Sequence, residues 1–146
     1  MNNTVKSWNE IRDSAHQFAA DYKNSTSEKS EAQRFLLDFF DIFGLSQKRF
    51  IVFEQAVQKL SGRGYIDLFW EGVLMVEMKS EGEDLDAAYN QALEYTHGLK
   101  ERQLPRYIMV SDFQRIRLYD SEDLEHYLEI ELEELPNEVE IFAFIL

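Results

Sequence analysis

The sequence contains no cysteine. That excludes disulfides, thiolate zinc sites and cysteine nucleophiles, and it is compatible with a reducing cytoplasm. The first residues (MNNTVKSWNEIRDS) lack the basic stretch and apolar run of a secretory leader. No apolar segment approaches the roughly 20 residues of a membrane span. Positive charge is also scarce. Against 28 Asp and Glu stand only 15 Lys and Arg, for a net charge of −13. Such a balance opposes nonspecific binding to nucleic acid. Internal repeats are absent. The histidines His16, His97 and His126 are far apart, and none belongs to a metal-ligand or nucleophile motif.

What is present is the material of a core. Hydrophobic residues make up 45% of the 146, including 11 Phe, 7 Tyr and 2 Trp. A disordered chain carries far fewer aromatics, and this length buries a core without staples. A single domain over 1–146 is the natural expectation.

Trp8, Ile11, Ala15, Phe18, Ala19 and Tyr22 recur at helical spacing and predict a helix over 5–23. The polar run 24–30 reads as a loop or capping segment. Ala32, Phe35, Leu36, Phe39, Phe40 and Phe43 predict a second helix over 30–43, stopped by Gly44. A strand is expected over 49–57, and the stretch 61–64 reads as a flexible entry to a hairpin. Asp84 is placed to cap a third helix, with Gly98-Leu99-Lys100 near its end. Pro105 precedes a strand over 107–111, and a short alternating strand follows at 115–119. Residues 124–135 are acidic and fit no single assignment. Residues 139–146 are apolar to the last position, which suggests a domain cut from a longer protein. The order predicts an α/β fold, a mixed central sheet flanked by helices.

The hairpin GYIDLFWEGVLMVEMKS (64–80) carries charge in a segment built for a core. Alternate strand residues share a face. Leu74, Val76 and Met78 therefore point one way, and Val73, Met75, Glu77 and Lys79 the other. A two-residue loop at Glu71-Gly72 would put Asp67 opposite Val76, away from Glu77. A three-residue loop, Trp70-Glu71-Gly72, pairs Asp67 with Met75 and makes Asp67 a diagonal neighbour of Glu77. Gly72 suits the left-handed position that ends such loops, which favours this register. Diagonal neighbours lie about 7–8 Å apart. Two carboxylates at that spacing can converge on one hard cation such as Mg²⁺, which takes oxygen ligands and keeps water and phosphate in its shell. A lysine alongside suits an attacking water or developing charge. Asp followed on the next strand by Glu-x-Lys is the signature of the PD-(D/E)xK nucleases. The triplet alone is weak in so acidic a chain; the hairpin context strengthens it.

Two segments bear on this reading. Gln91 and Tyr95 are four apart and share a helical face. A Gln-x₃-Tyr pair after the Glu-x-Lys strand resembles a supporting arrangement in several such nucleases. The other reading is a core Tyr95 and an exposed Gln91. Glu31 opens the second helix, where it fits either a metal-proximal acid or a complement to the helix dipole. Arg115 and Arg117 suit phosphate contact or pairing with the abundant acids.

Several ordered segments carry a more specific resemblance. The run SEAQRFLLDFF (30–40) with Phe43-Gly44, the hairpin through Glu77-Met78-Lys79-Ser80, DLDAA (84–88), Gln91-Ala92, LPRY (104–107) and VSDF (110–113) together resemble the N-terminal region of MmeI-type single-chain restriction–modification enzymes. The resemblance spans roughly residues 8–120. It implies an endonuclease domain followed in the natural protein by a helical connector, an adenine methyltransferase and a target-recognition domain. It implies Asp67 and Glu77 as ligands of Mg²⁺, with Mn²⁺ as substitute, Lys79 as catalytic lysine, and Glu31, Gln91 and Tyr95 in support. Met78 departs from a commonly more polar position, but it points away from the site. No glycine-rich cofactor loop or Asn-Pro-Pro-Tyr-type motif occurs, so no S-adenosylmethionine site is expected within this chain. The expected substrate is double-stranded DNA in the cytoplasm, held mainly by other domains. A transient dimer would cut both strands. Two further classes fit parts of the sequence. One is an inactive nuclease-fold interaction module, against which the intact triad counts. The other is an acidic DNA mimic, which the charge suits but a lysine beside a buried glutamate does not.

Overall fold

The computed structural model describes residues 5–45, 51–59 and 62–146. Ser7 opens the first helix, α1 (Trp8–Tyr22), through a capping box. Its hydroxyl accepts the Glu10 N–H at 3.1 Å, and its own N–H donates to the Glu10 carboxylate at 2.9 Å. Two otherwise orphaned donors are thereby satisfied. Ile11, Ala15, Phe18 and Tyr22 form the buried stripe that the spacing predicts, with Trp8 and Ala19 at its margin.

The second helix, α2 (Glu28–Ile42), begins earlier than expected. Gly44 ends it with φ +82°, a conformation that a Cβ disfavours. The Lys6 ammonium donates to the terminal carbonyls of Asp41 and Ile42, where the helix dipole is negative. Between the two helices lies an aromatic nucleus. Phe39 meets Phe18, Phe40 and Phe142 edge-on, with centroids at 5.9, 5.7 and 5.1 Å, a geometry that suits the ring quadrupoles.

A six-stranded mixed sheet runs in sequence order. Its strands are β1 (Ile51–Lys59), β2 (Gly62–Trp70), β3 (Leu74–Met78), β4 (Tyr107–Ser111), β5 (Arg115–Asp120) and β6 (Asp123–Glu131). All neighbours are antiparallel except β3 and β4. That parallel pair requires a crossover, supplied by α3 (Leu85–Thr96). Asp84 caps α3 as expected, accepting the Asp86 and Ala87 N–H groups. The fold is α/β, with a layer of helix on each face of the sheet. A larger core joins one face to α1, α2 and the terminal 3-10 turns. A smaller core of Ile66, Phe69, Met75, Ala88, Ala92, Tyr95 and Val110 joins the other face to α3.

Several expectations change. The glycine-rich entry is strand from Gly62 onward; Ser61, Arg49 and Phe50 lie outside the described residues. The ambiguous acidic segment supplies β6, exposed at eight of its nine positions. At the apolar end Val139, Phe142 and Ile145 are buried in the core, which concerns packing and not how far the natural protein extends. The hairpin loop is Glu71-Gly72-Val73, one residue later than expected, so Trp70 pairs with Leu74. The Val73 N–H closes it onto the Trp70 carbonyl at 2.9 Å, with Gly72 at φ +76°. Among the described residues no helix is long and apolar enough to cross a membrane.

Phe39 is fully buried against four rings. Phe39→Ala is expected to cost about 3–5 kcal/mol, read as a lowered urea midpoint at unchanged slope.

Candidate active site

The hairpin register determines how the two carboxylates meet. Leu68 pairs with Val76 and Phe69 with Met75, so the next position brings Asp67 opposite Glu77. The shift from the expected partner, Met75, is two residues. A shift of two preserves side-chain parity, so the neighbour relation survives the error. The regular ladder stops there. The Asp67 carboxylate accepts the Met78 N–H at 2.7 Å, and the Asp67 backbone N–H hydrogen-bonds the Glu77 carboxylate.

Glu77 is the anomalous residue. It is 4% exposed, and its Oε1 is buried without a hydrogen-bond partner. Buried polar atoms are nearly always paired. Burial pushes its carboxyl up to about 9, the Asp67 charge adds to the rise, Lys79 opposes it, and Glu28 raises it further. A buried carboxyl beside two other acids is costly for a merely structural role.

On the α3 side, the Lys79 ammonium donates to Gln91 Oε1 at 2.6 Å. The Gln91 amide donates in turn to the Tyr95 hydroxyl at 2.8 Å. Tyr95 is buried, and burial first, then the Glu77 and Asp67 charges, raise its pKa. Of the reading that made Tyr95 core and Gln91 exposed, the first half holds and the second does not. Tyr95 is core, and its hydroxyl ends a hydrogen-bond chain that runs from Lys79 through a half-buried Gln91.

Glu31 stands apart from this group. Its carboxylate accepts from the Ser25 hydroxyl and from the Thr26 and Ser27 N–H groups, at 3.2, 3.2 and 3.4 Å. It seals the start of α2. The acid that α2 turns toward the site is Glu28, whose charge acts on Glu77 and which shares a cleft with Asp67. Sequence reading missed Glu28 because it started the helix at residue 30. The loop after Lys79 holds Glu28 in place. The Ser80 hydroxyl accepts the Glu28 N–H at 3.2 Å, and Glu81 N–H donates to the Thr26 carbonyl at 2.9 Å. Buried Asp112 pins the same loop through the Gly82 N–H and clasps Arg115. Arg115 and Arg117 are thus committed to acids, Arg117 to Asp86 and Glu129. His97 caps the end of α3, and His126 pairs with Asp123.

Among the described residues no three His, Cys, Asp or Glu side chains form a ready-made metal cage. The donor set still fits a hard divalent cation. Such an ion needs only one or two carboxylates and fills its shell with water and phosphate. The partnerless Glu77 oxygen is the atom such an ion would satisfy.

The sequence profile of the family described as MmeI, N-terminal domain, matches residues 13–146. The chain belongs to that family. No curated protein matches it significantly. A solved structure titled "cryoEM structure DrdV-DNA complex" resembles this MmeI-type domain with a TM-score of 0.57 at 14% identity. The alignment covers 95% of this chain and 14% of that one. At that identity the likeness bears on the fold alone, and it agrees with the mixed sheet flanked by helices.

The Glu77 shift has a consequence for stability. The folded domain holds a proton that the unfolded chain releases near the ordinary value of 4.5. The stabilisation is therefore full below pH 4.5 and is lost as pH rises toward about 9. Glu77→Gln removes that dependence. In chelator at pH 8 the variant should melt several degrees above wild type, a gain of ~2–4 kcal/mol, and the gap should close toward pH 5. Equal destabilisation at both pH values would show that the ionised carboxylate is well accommodated.

Proposed function

We propose that this domain is a Mg²⁺-dependent DNA endonuclease of the PD-(D/E)xK type, working within a restriction–modification protein. The observation that carries this reading is the buried Glu77 carboxylate with an unsatisfied oxygen, beside Asp67 and two residues from Lys79. Asp67 and Glu77 would hold the ion, with Mn²⁺ as substitute and Glu28 adding negative charge nearby. A divalent ion so held lowers the pKa of bound water and neutralises charge on a phosphodiester. The chain's own groups do the rest. Lys79 presents an ammonium to the attacking water or to the charge that develops on phosphorus-bound oxygen. Gln91 fixes the direction of that ammonium, and Tyr95 fixes Gln91. Such preorganisation costs nothing at the moment of reaction.

Family membership supports double-stranded DNA as the substrate, and the solved neighbour is itself titled as a DNA complex. With a net charge of −13 this domain binds DNA weakly by itself. Other domains of a longer protein, including the methyltransferase, would supply the grip, the recognition and the S-adenosylmethionine site. Two copies meeting transiently would cut both strands. A cytoplasmic location accords with that role. The acidic surface gives a DNA-mimic reading some support. A mimic needs exposed acids, however, and Glu77 is inside.

Calorimetric titration with Mn²⁺ tests the reading. Wild type should bind close to one ion per chain, and Asp67→Ala should abolish it. In the full-length protein Lys79→Ala should keep ion binding and lose at least about a hundredfold in cleavage rate. Wild type that binds no ion, with DNA present or absent, would remove the metal site.

A further inference from the structure

The proposed site opens into a cleft of about 550 Å³ that the catalytic groups leave unused. One wall is the exposed side of α2, with Glu28, Lys29, Gln33 and Arg34; Phe53 and Asp67 face it. The volume falls in the range of ligand-binding clefts. Its lining is uneven. Asp67 and Glu28 mark the end nearest Glu77, whereas donors follow on Lys29, the next residue, and on Gln33 and Arg34, more than a turn further along the helix.

Those donors are distinguished by their position on the cleft rim. Elsewhere five arginines are engaged, while Lys23 and Lys100 are, like Lys29, exposed and pair with no acid among the described residues. Arg12, Arg102, Arg106, Arg115 and Arg117 each pair with an acid. Lys29 has no such partner among the described residues, and Gln33, four residues on and so on the same helical side, hydrogen-bonds nothing. Arg34 rests against the Tyr22 ring, 5.6 Å from its centroid, rather than on a carboxylate. What sets Lys29 apart is its place: an exposed lysine with no acid partner among the described residues, on the rim of a cleft ending at candidate metal ligands, is placed for an anion.

We infer that this cleft seats the DNA strand on one side of the scissile phosphate, with Lys29 and Gln33 binding the neighbouring phosphate. The inference rests on the endonuclease reading and adds a direction to it: the strand leaves the Asp67–Glu77 end along α2, and Phe53 offers an apolar wall to its sugar. Lys29 and Gln33 are positioning residues. They touch no reacting atom.

The probe is thymidine 3′,5′-bisphosphate, which carries two phosphates across one sugar, with thymidine 5′-monophosphate as its single-phosphate control. Both are titrated calorimetrically into the Mn²⁺-loaded chain. Lys29→Glu should weaken the bisphosphate roughly tenfold and Gln33→Ala a few-fold. Monophosphate and Mn²⁺ affinities should stay within about twofold of wild type. Both side chains are exposed, so loss of fold is not expected, and unchanged Mn²⁺ affinity verifies it. If Mn²⁺ binds but the bisphosphate does not, or binds equally to both variants, the cleft assignment is overturned and the endonuclease reading stands. Equal weakening of the monophosphate would put Lys29 on the scissile phosphate and overturn the strand path. Failure of Mn²⁺ to bind wild type would overturn both.

Discussion

Burial of the Glu77 carboxylate at the end of β3 is the constraint on which the site depends. All five residues of β3 are buried, because helices cover both faces of the sheet there. The parallel pairing of β3 with β4 produces that cover. It demands a crossover, and α3 is the crossover. The same helix brings Gln91 and Tyr95 to Lys79. On the opposite face α2 brings Glu28. A carboxylate at that position can neither reach water freely nor find donors for both oxygens. The surrounding ties keep it there: Asp67 across the hairpin end, the 80–83 loop to the start of α2, and Asp112 beneath that loop. Strain of this kind is tolerated where a function needs it.

Much of this was legible in the sequence, for physical reasons that differ by element. The stripes of α1 and α2 were readable because each buries one side against the sheet and exposes the other. Asp84 and Gly44 were readable because a cap and a left-handed stop each favour few residue types. The hairpin was readable in parity but not in register. Gly72 serves a loop that closes on Val73 as well as one that closes before it. Only the parity mattered for the site, so Asp67 and Glu77 still met.

The misses share a cause: absence of local contrast. β6 is exposed on both sides, so it shows no alternation, and its acids have little strand preference. The start of α2 carries no side-chain cap from Ser27. Periodicity alone therefore placed it at residue 30, and Glu31 stood out while Glu28 did not. Only tertiary contacts separate these two acids. One is spent on the 25–27 turn, and the other looks across at Glu77. The apolar end was visible as apolar, but its destination was a question of packing, answered by Phe142 against Phe39.

The charge pattern follows from the same arrangement. On the proposed function, a site that gripped DNA strongly by itself would face every phosphodiester it met. Here five arginines are neutralised by neighbouring acids, and the electrostatic term that dominates nonspecific affinity is turned off. The ionisation of Glu77 is likewise unfavourable until positive charge arrives beside it. Both features raise the energy of the competent state in the isolated domain. In the proposed function, ion and DNA delivered together offset that cost, so the chemistry becomes available where the strand has been placed and stays weak elsewhere. Under this view low intrinsic affinity is a consequence of how the site is built, and the surplus of acids serves the same end as the buried carboxylate.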